Sequence, residues 1–205
     1  MPFPYYQRLS PRQKAIYRQS DAVMEVRLSE PEVARSFADD LRKALVSGER
    51  QEVHRSVNRL CLRICEDLGV DPVKVKVLTR RPSDADGELH GLYVREEGKL
   101  PVISVWMYTA SRRQVVAFKT FIRTLLHEIC HHLDYSLLGL ADTFHTKGFF
   151  RRESSLTRQL VASSRPVSGE KKANIRLTES RAKPLSRRTP KIQLELPMTT
   201  PKRQY

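Results

Sequence analysis

The sequence predicts an α+β fold in which helices flank a small three-stranded sheet, and three observations carry that prediction. Apolar residues recur at three- and four-residue intervals in blocks up to residue 69, alternate with polar ones in blocks between 73 and 108, and return to helical spacing from 111 to 139. The change of period falls at "GVDP", a breaker sequence. A chain of 205 residues that is 40% hydrophobic has material for one core of ordinary size plus a tail. Two large domains are not expected.

Taken in order, "SPRQKAIYRQS" sets Ser10 as N-cap before Pro11 in the first turn of a helix. "EPEVARSFADDLRKALVSG" reads as a second helix ending at Gly48, and these two make an N-terminal helical segment over 1–50. In "QEVHRSVNRLCLRICEDLG", Val53, Val57, Leu60, Cys61, Ile64 and Leu68 form one stripe that stops at Gly69. That spacing makes Cys61 and Cys65 packing residues rather than ligands. Strands follow at 73–79 ("VKVKVLT"), 89–96 ("LHGLYVRE") and 100–108 ("LPVISVWMY"), the last two joined by a turn at "EEGK". The spacing of Val115, Phe118, Ile122, Leu125, Ile129 and Leu133 predicts a long amphipathic helix with Ser111 as N-cap and Gly139 as terminator. A shorter helix over "GFFRRESSLTRQLV" closes a domain spanning 51–164.

Charge is distributed unevenly. The chain carries a formal net charge of +14, and residues 165–205 hold eleven Lys or Arg against three Glu, with five prolines and Tyr205 as the sole aromatic. Such a segment cannot bury enough surface to offset its ordering entropy, which predicts a disordered basic tail. A tail of this kind suits non-specific contact with nucleic-acid phosphates, or simply solubility. Three cysteines without a metal-type pair argue for a reducing compartment, and no signal-like or membrane-length apolar run is present. The expected location is the cytoplasm, with no membrane partner.

The chemistry centres on "HEICHH". His127 and His131, four apart, share one face of the predicted helix, with Glu128 between them. This is the spacing in which two imidazoles bind zinc and the glutamate serves as general base toward water. His132, about 100° further round, is expected at the surface. A catalytic zinc takes three protein ligands and keeps one position open. His145 is the favoured third ligand, because the chain can reverse at Gly139 and return its ring over the helix. Glu153 is the alternative from the last helix, with Asp142, Asp134 or no further protein ligand behind it. Helix, sheet, motif helix, loop and second helix is also the order that a zincin-type zinc peptidase needs.

The stretch "HEICHHLDYSLLGLADTFHTKGFF" resembles the zinc-site region of the SprT-like metallopeptidases, in which His-Glu-x-x-His precedes a third ligand histidine near a glycine and an aromatic. The resemblance implies a zincin-like fold with the sheet packed on the motif helix. It also implies a Zn²⁺ cofactor on His127, His131 and His145, with Glu128 as catalytic base of a zinc metalloendopeptidase acting on a protein or peptide. Thr146 and Lys147 separate His145 from Gly148, where the family often has glycine next to the histidine. Strand 100–108, placed at the sheet edge, would then hold an extended peptide by strand addition. The competing expectation is a non-catalytic zinc-containing protein that binds nucleic acid through its basic tail.

Overall fold

A short 3-10 turn at Pro4–Arg8 leads into helix α1 (Pro11–Ala22), whose first turn is fixed as the sequence predicts. The Ser10 hydroxyl accepts from the Gln13 amide at 3.3 Å while the Gln13 side chain accepts from the Ser10 amide at 3.0 Å, a reciprocal capping box. Helices α2 (Pro31–Ser47) and α3 (Arg50–Leu68) follow, then strands β1 (Lys74–Arg80), β2 (Ser83–Asp84), β3 (Gly87–Glu88), β4 (Gly91–Val94) and β5 (Val102–Tyr108). Helices α4 (Phe118–Ser136) and α5 (Lys147–Leu160) complete the order. The computed structural model describes residues 2–84, 87–110 and 114–161, all within one compact unit. The basic tail expected at 165–205 lies outside the described residues, as does the N-cap expected at Ser111. The boundary placed at 50/51 falls inside the first turn of α3, and α2 and α3 pack together.

The main sheet has the order β1-β5-β4, with β1 parallel and β4 antiparallel to β5. Strand 100–108, expected at the edge, is therefore central. Its residues Ile103 to Met107 are all buried, the near-continuous apolar run of a strand covered on both faces. The edge beside the motif helix is instead β4, whose burial alternates. A small hairpin of β2 and β3 precedes it.

The motif helix also starts later than its apolar stripe suggests. Val115 does not belong to α4: it bridges to Tyr108, and the Val116 amide donates to the Met107 carbonyl at 2.7 Å, so 114–116 runs as an extension of the sheet. Two adjacent β-branched residues favour that conformation, and helix begins only after Ala117.

The core joins all these layers. Leu41, Leu45, Val53, Val57, Leu60, Cys61 and Ile64 from α2 and α3 meet Val75, Val77, Ile103, Val105 and Met107 from the sheet. Ile122, Leu125, Leu126, Ile129 and Leu133 of α4 and Phe149, Leu156 and Leu160 of α5 close it from the other side. Each such side chain contributes roughly 1.5–3 kcal/mol by burial, which fixes the rotation of α4 and so the direction of its histidines. No described helix is long and apolar enough to cross a membrane.

Candidate metal centre

Rotation of α4 aims His127 and His131 at the loop between α4 and α5, and that loop returns His145 to them. His145 Nε2 lies 2.9 Å from His127 Nε2 and 3.1 Å from His131 Nε2. One ligand nitrogen from each of the three residues lies within 4.8 Å of the others. These three histidines could hold a metal ion.

The hydrogen bonds on the far side of the rings fix their orientation. His127 Nδ1 donates to Glu153 Oε2 at 3.1 Å, which turns Nε2 toward the centre. His131 Nδ1 lies 2.8 Å from Thr143 Oγ1, and that hydroxyl donates onward to Asp134 Oδ2 at 2.7 Å. With its proton directed at Asp134, Thr143 accepts from His131, which turns His131 Nε2 to the centre as well. Both Nε2 atoms thus face His145 Nε2, and three ring nitrogens gathered this closely are an arrangement that a cation relieves. A proton is poorly suited to that role. Burial, then the neighbouring His127 and His145 charges, hold His131 well below the ordinary histidine range, and burial followed by His127 brings His145 to about 4.

Carboxylates stand behind the rings. Burial works to raise Glu153, but its hydrogen bonds from His127 and Arg123 and their charges outweigh it and leave the carboxyl below its usual value. Arg123 donates to Glu153 Oε1 through Nε at 3.1 Å and Nη2 at 2.9 Å. Asp134 forms a fully buried ion pair with Arg152 at 2.6 Å. Burial raises Asp134, with Arg152 and Thr143 opposing. Arg152 in turn donates to the carbonyls of Ser20 and Val23 and to the Ser20 hydroxyl.

Glu128 is buried on the flank of α4 that faces β4. Its carboxyl is pushed up to about 7 by burial, moderated by the His127 charge and the Tyr93 backbone amide. Room for it exists because residue 91 is glycine. A Cβ there would stand 2.4 Å from Glu128 Oε1 and 2.8 Å from both Glu128 Cγ and Thr124 Cγ2.

The remaining candidates separate cleanly. Glu153 supports His127, Asp134 supports His131 through Thr143, and Asp142 accepts from the Thr143 amide of its own loop at 2.8 Å. Helix α5 is capped by Thr146, whose hydroxyl accepts from the Phe149 amide at 2.9 Å, and not by His145. His132 is not at the surface. It is 2% exposed, its Nε2 donates to the Asp71 carbonyl at 2.8 Å, and its Nδ1 accepts from the Tyr93 hydroxyl at 3.3 Å. The direction away from the other histidines leads into protein, because α4 is covered on most of its circumference.

Sequence reasoning passed over Thr143, Arg123, Gly91 and Tyr93. Arg123 carried a usable signal, since it precedes His127 by one helical turn. No family model, curated protein or solved structure matches the chain.

Proposed function

We propose that this protein is a zinc-dependent peptide-bond hydrolase of the SprT-like zincin kind. The observation that carries the reading is the meeting of three imidazole nitrogens on the helix flank next to a buried carboxylate whose proton affinity is poised near neutrality. Three imidazoles with no thiolate suit zinc, and three protein ligands are the number that leaves a coordination position open. A zinc ion held there supplies Lewis acidity toward carbonyl and water.

The chain's own residues provide the rest. Glu128, with a carboxyl near 7, can take a proton from attacking water and return it to the leaving amine at the same pH. Strand β4 is the edge of the sheet beside the motif helix, so an extended peptide that adds to it by main-chain hydrogen bonds runs past Glu128. Recognition through backbone groups makes such a hydrolase tolerant of sequence.

The test compares zinc content and peptide hydrolysis in three proteins. Wild type should bind one zinc and cleave; Glu128→Gln should keep the zinc and lose at least about 100-fold in kcat, the size of a general-base contribution; His131→Ala should lose both. Undiminished turnover by purified Glu128→Gln would remove the glutamate from the mechanism.

A further inference from the structure

Of the three histidines, His145 is the one carried on a loop that packs outside the main core, although its ring also meets Phe149 of that core. The loop that carries it contributes Leu140 and Phe144 to a separate apolar cluster, whose other buried members are Leu9, Ile16 and Tyr17 from the start of the chain. Polar contacts repeat the pattern. The Tyr5 hydroxyl donates to the His145 carbonyl at 2.8 Å, and the Gly148 amide donates to Asp21 Oδ1 at 2.9 Å. Contact between α1 and the start of α5 is so close that a Cβ on Gly148 would lie 2.5 Å from the Ser20 carbonyl oxygen. Phe150, whose ring lies 5.8 Å from that of His145, is met edge-on by Phe3 at 5.9 Å. By contrast, His127 and His131 stand on α4, which the main core holds.

We propose that residues 3–22 are a clasp that sets His145 in the metal site, so that docking of this segment and binding of the ion are coupled. The proposal rests on the three histidines holding an ion, as the functional reading requires. Tyr5 and Asp21 are positioning residues: they act on the ion only through the loop. Coupling of this kind is reciprocal, so whatever the docked segment adds to zinc affinity, zinc returns as protection of the segment. A partner or protease that captured the N-terminal segment would thereby lower metal occupancy without touching a ligand.

The experiment measures zinc affinity of the full chain by competition with a chromophoric chelator. The Tyr5→Phe/Asp21→Ala double variant should lose roughly tenfold or more, the range typical of groups that orient a ligand. Added to a His145→Ala background, the same pair should cost nothing further, since the residue through which they act is gone. In wild type, amide hydrogen exchange at residues 3–22 should slow when zinc is added, and in His145→Ala it should not. That last measurement needs no clasp variant to fold. Unchanged affinity in the double variant, an equal loss in the His145→Ala background, or exchange indifferent to zinc would each overturn the clasp alone. A wild-type chain that takes up no zinc would overturn the metal centre and the clasp together.

Discussion

Gly91→Ala is the smallest change that reaches Glu128, the proposed general base, without altering a charged or ligating group. The added Cβ would sit 2.4 Å from Glu128 Oε1, whereas ordinary contact begins at 3.4 Å, so the carboxylate must withdraw by about 1 Å or β4 must lift from α4. Withdrawal of the carboxylate alone leaves the second contact, 2.8 Å to Thr124 Cγ2 one turn earlier on the same helix, so both adjustments are called on. A displacement of this size at a catalytic group costs on the order of 100-fold in rate, or about 2.7 kcal/mol on the barrier. Overpacking should also lower stability by about 1–3 kcal/mol. None of the three nearest atoms belongs to His127, His131 or His145, so zinc affinity should hold. The assay pairs kcat on a peptide substrate with zinc content and a thermal melt. Gly91→Ala with wild-type kcat and an unshifted Tm would show that Glu128 does not need this gap, and the assignment of its working position against β4 would fall.

Two more outcomes follow from the same geometry. Thr143→Val keeps size but removes the hydroxyl between His131 and Asp134, so zinc affinity should drop about 10–100-fold while the buried Asp134–Arg152 pair stays intact; equal affinity in the two proteins would deny Thr143 a role in aiming His131. Metal-free protein should lose stability on mild acidification. Burial holds His131, His132 and His145 below the ordinary histidine value, His145 at about 4. Their contribution is whole above about pH 6.5, where unfolded histidine is also neutral, and is lost as pH falls toward 4 because only the unfolded chain gains protons. Glu128, raised to about 7, works in the opposite sense between pH 7 and 4.5, because the folded chain takes up that proton first. With His90, also lowered by burial, four histidines oppose two raised carboxyls, Glu128 and Asp134, so Tm should fall between pH 6.5 and 4.5, and a flat or rising Tm over that window would contradict the burial of these rings.

Much of the secondary structure was legible because local signals agreed with tertiary ones. The Ser10-Pro11 start of α1, the stripe of α3 and the alternation of β1 all stand where their residues put them. The failures have a common origin in partners distant along the chain. An apolar run such as "VISVWMY" fits an edge or a central strand until its neighbours are known, and here β1 and β4 flank it. Val115 matches the helical stripe by spacing, yet pairs with Tyr108. His132 points away from its neighbours into a wall built by Asp71 and Tyr93, far off in sequence. At the site, the pairing of His127 with His131 is intrinsic to helical periodicity. Choosing among His145, Glu153 and Asp134 is not, because Glu153 reaches His127, Asp134 reaches His131 through Thr143, His145 reaches both, and only the path of the chain beyond the helix sorts them.

That sorting gives the three histidines unequal support. His127 leans on a carboxylate that is itself held by Arg123, and His131 leans on a hydroxyl backed by a buried ion pair. Both stand on a helix anchored by the main core. His145 is placed through its backbone by Tyr5 and through its ring by Phe149 and Phe150, with residues 3–22 behind them. Local unfolding begins where buried apolar contacts are fewest, and here that is the small cluster shared by the N-terminal segment and the His145 loop. On the proposed reading the centre comes apart first at this place: loss of the clasp frees the His145 loop, and through Ser20 and Arg152 it also loosens the network behind His131. On that proposal, affinity for metal and order at the N-terminus are one quantity read at two ends of the same structure.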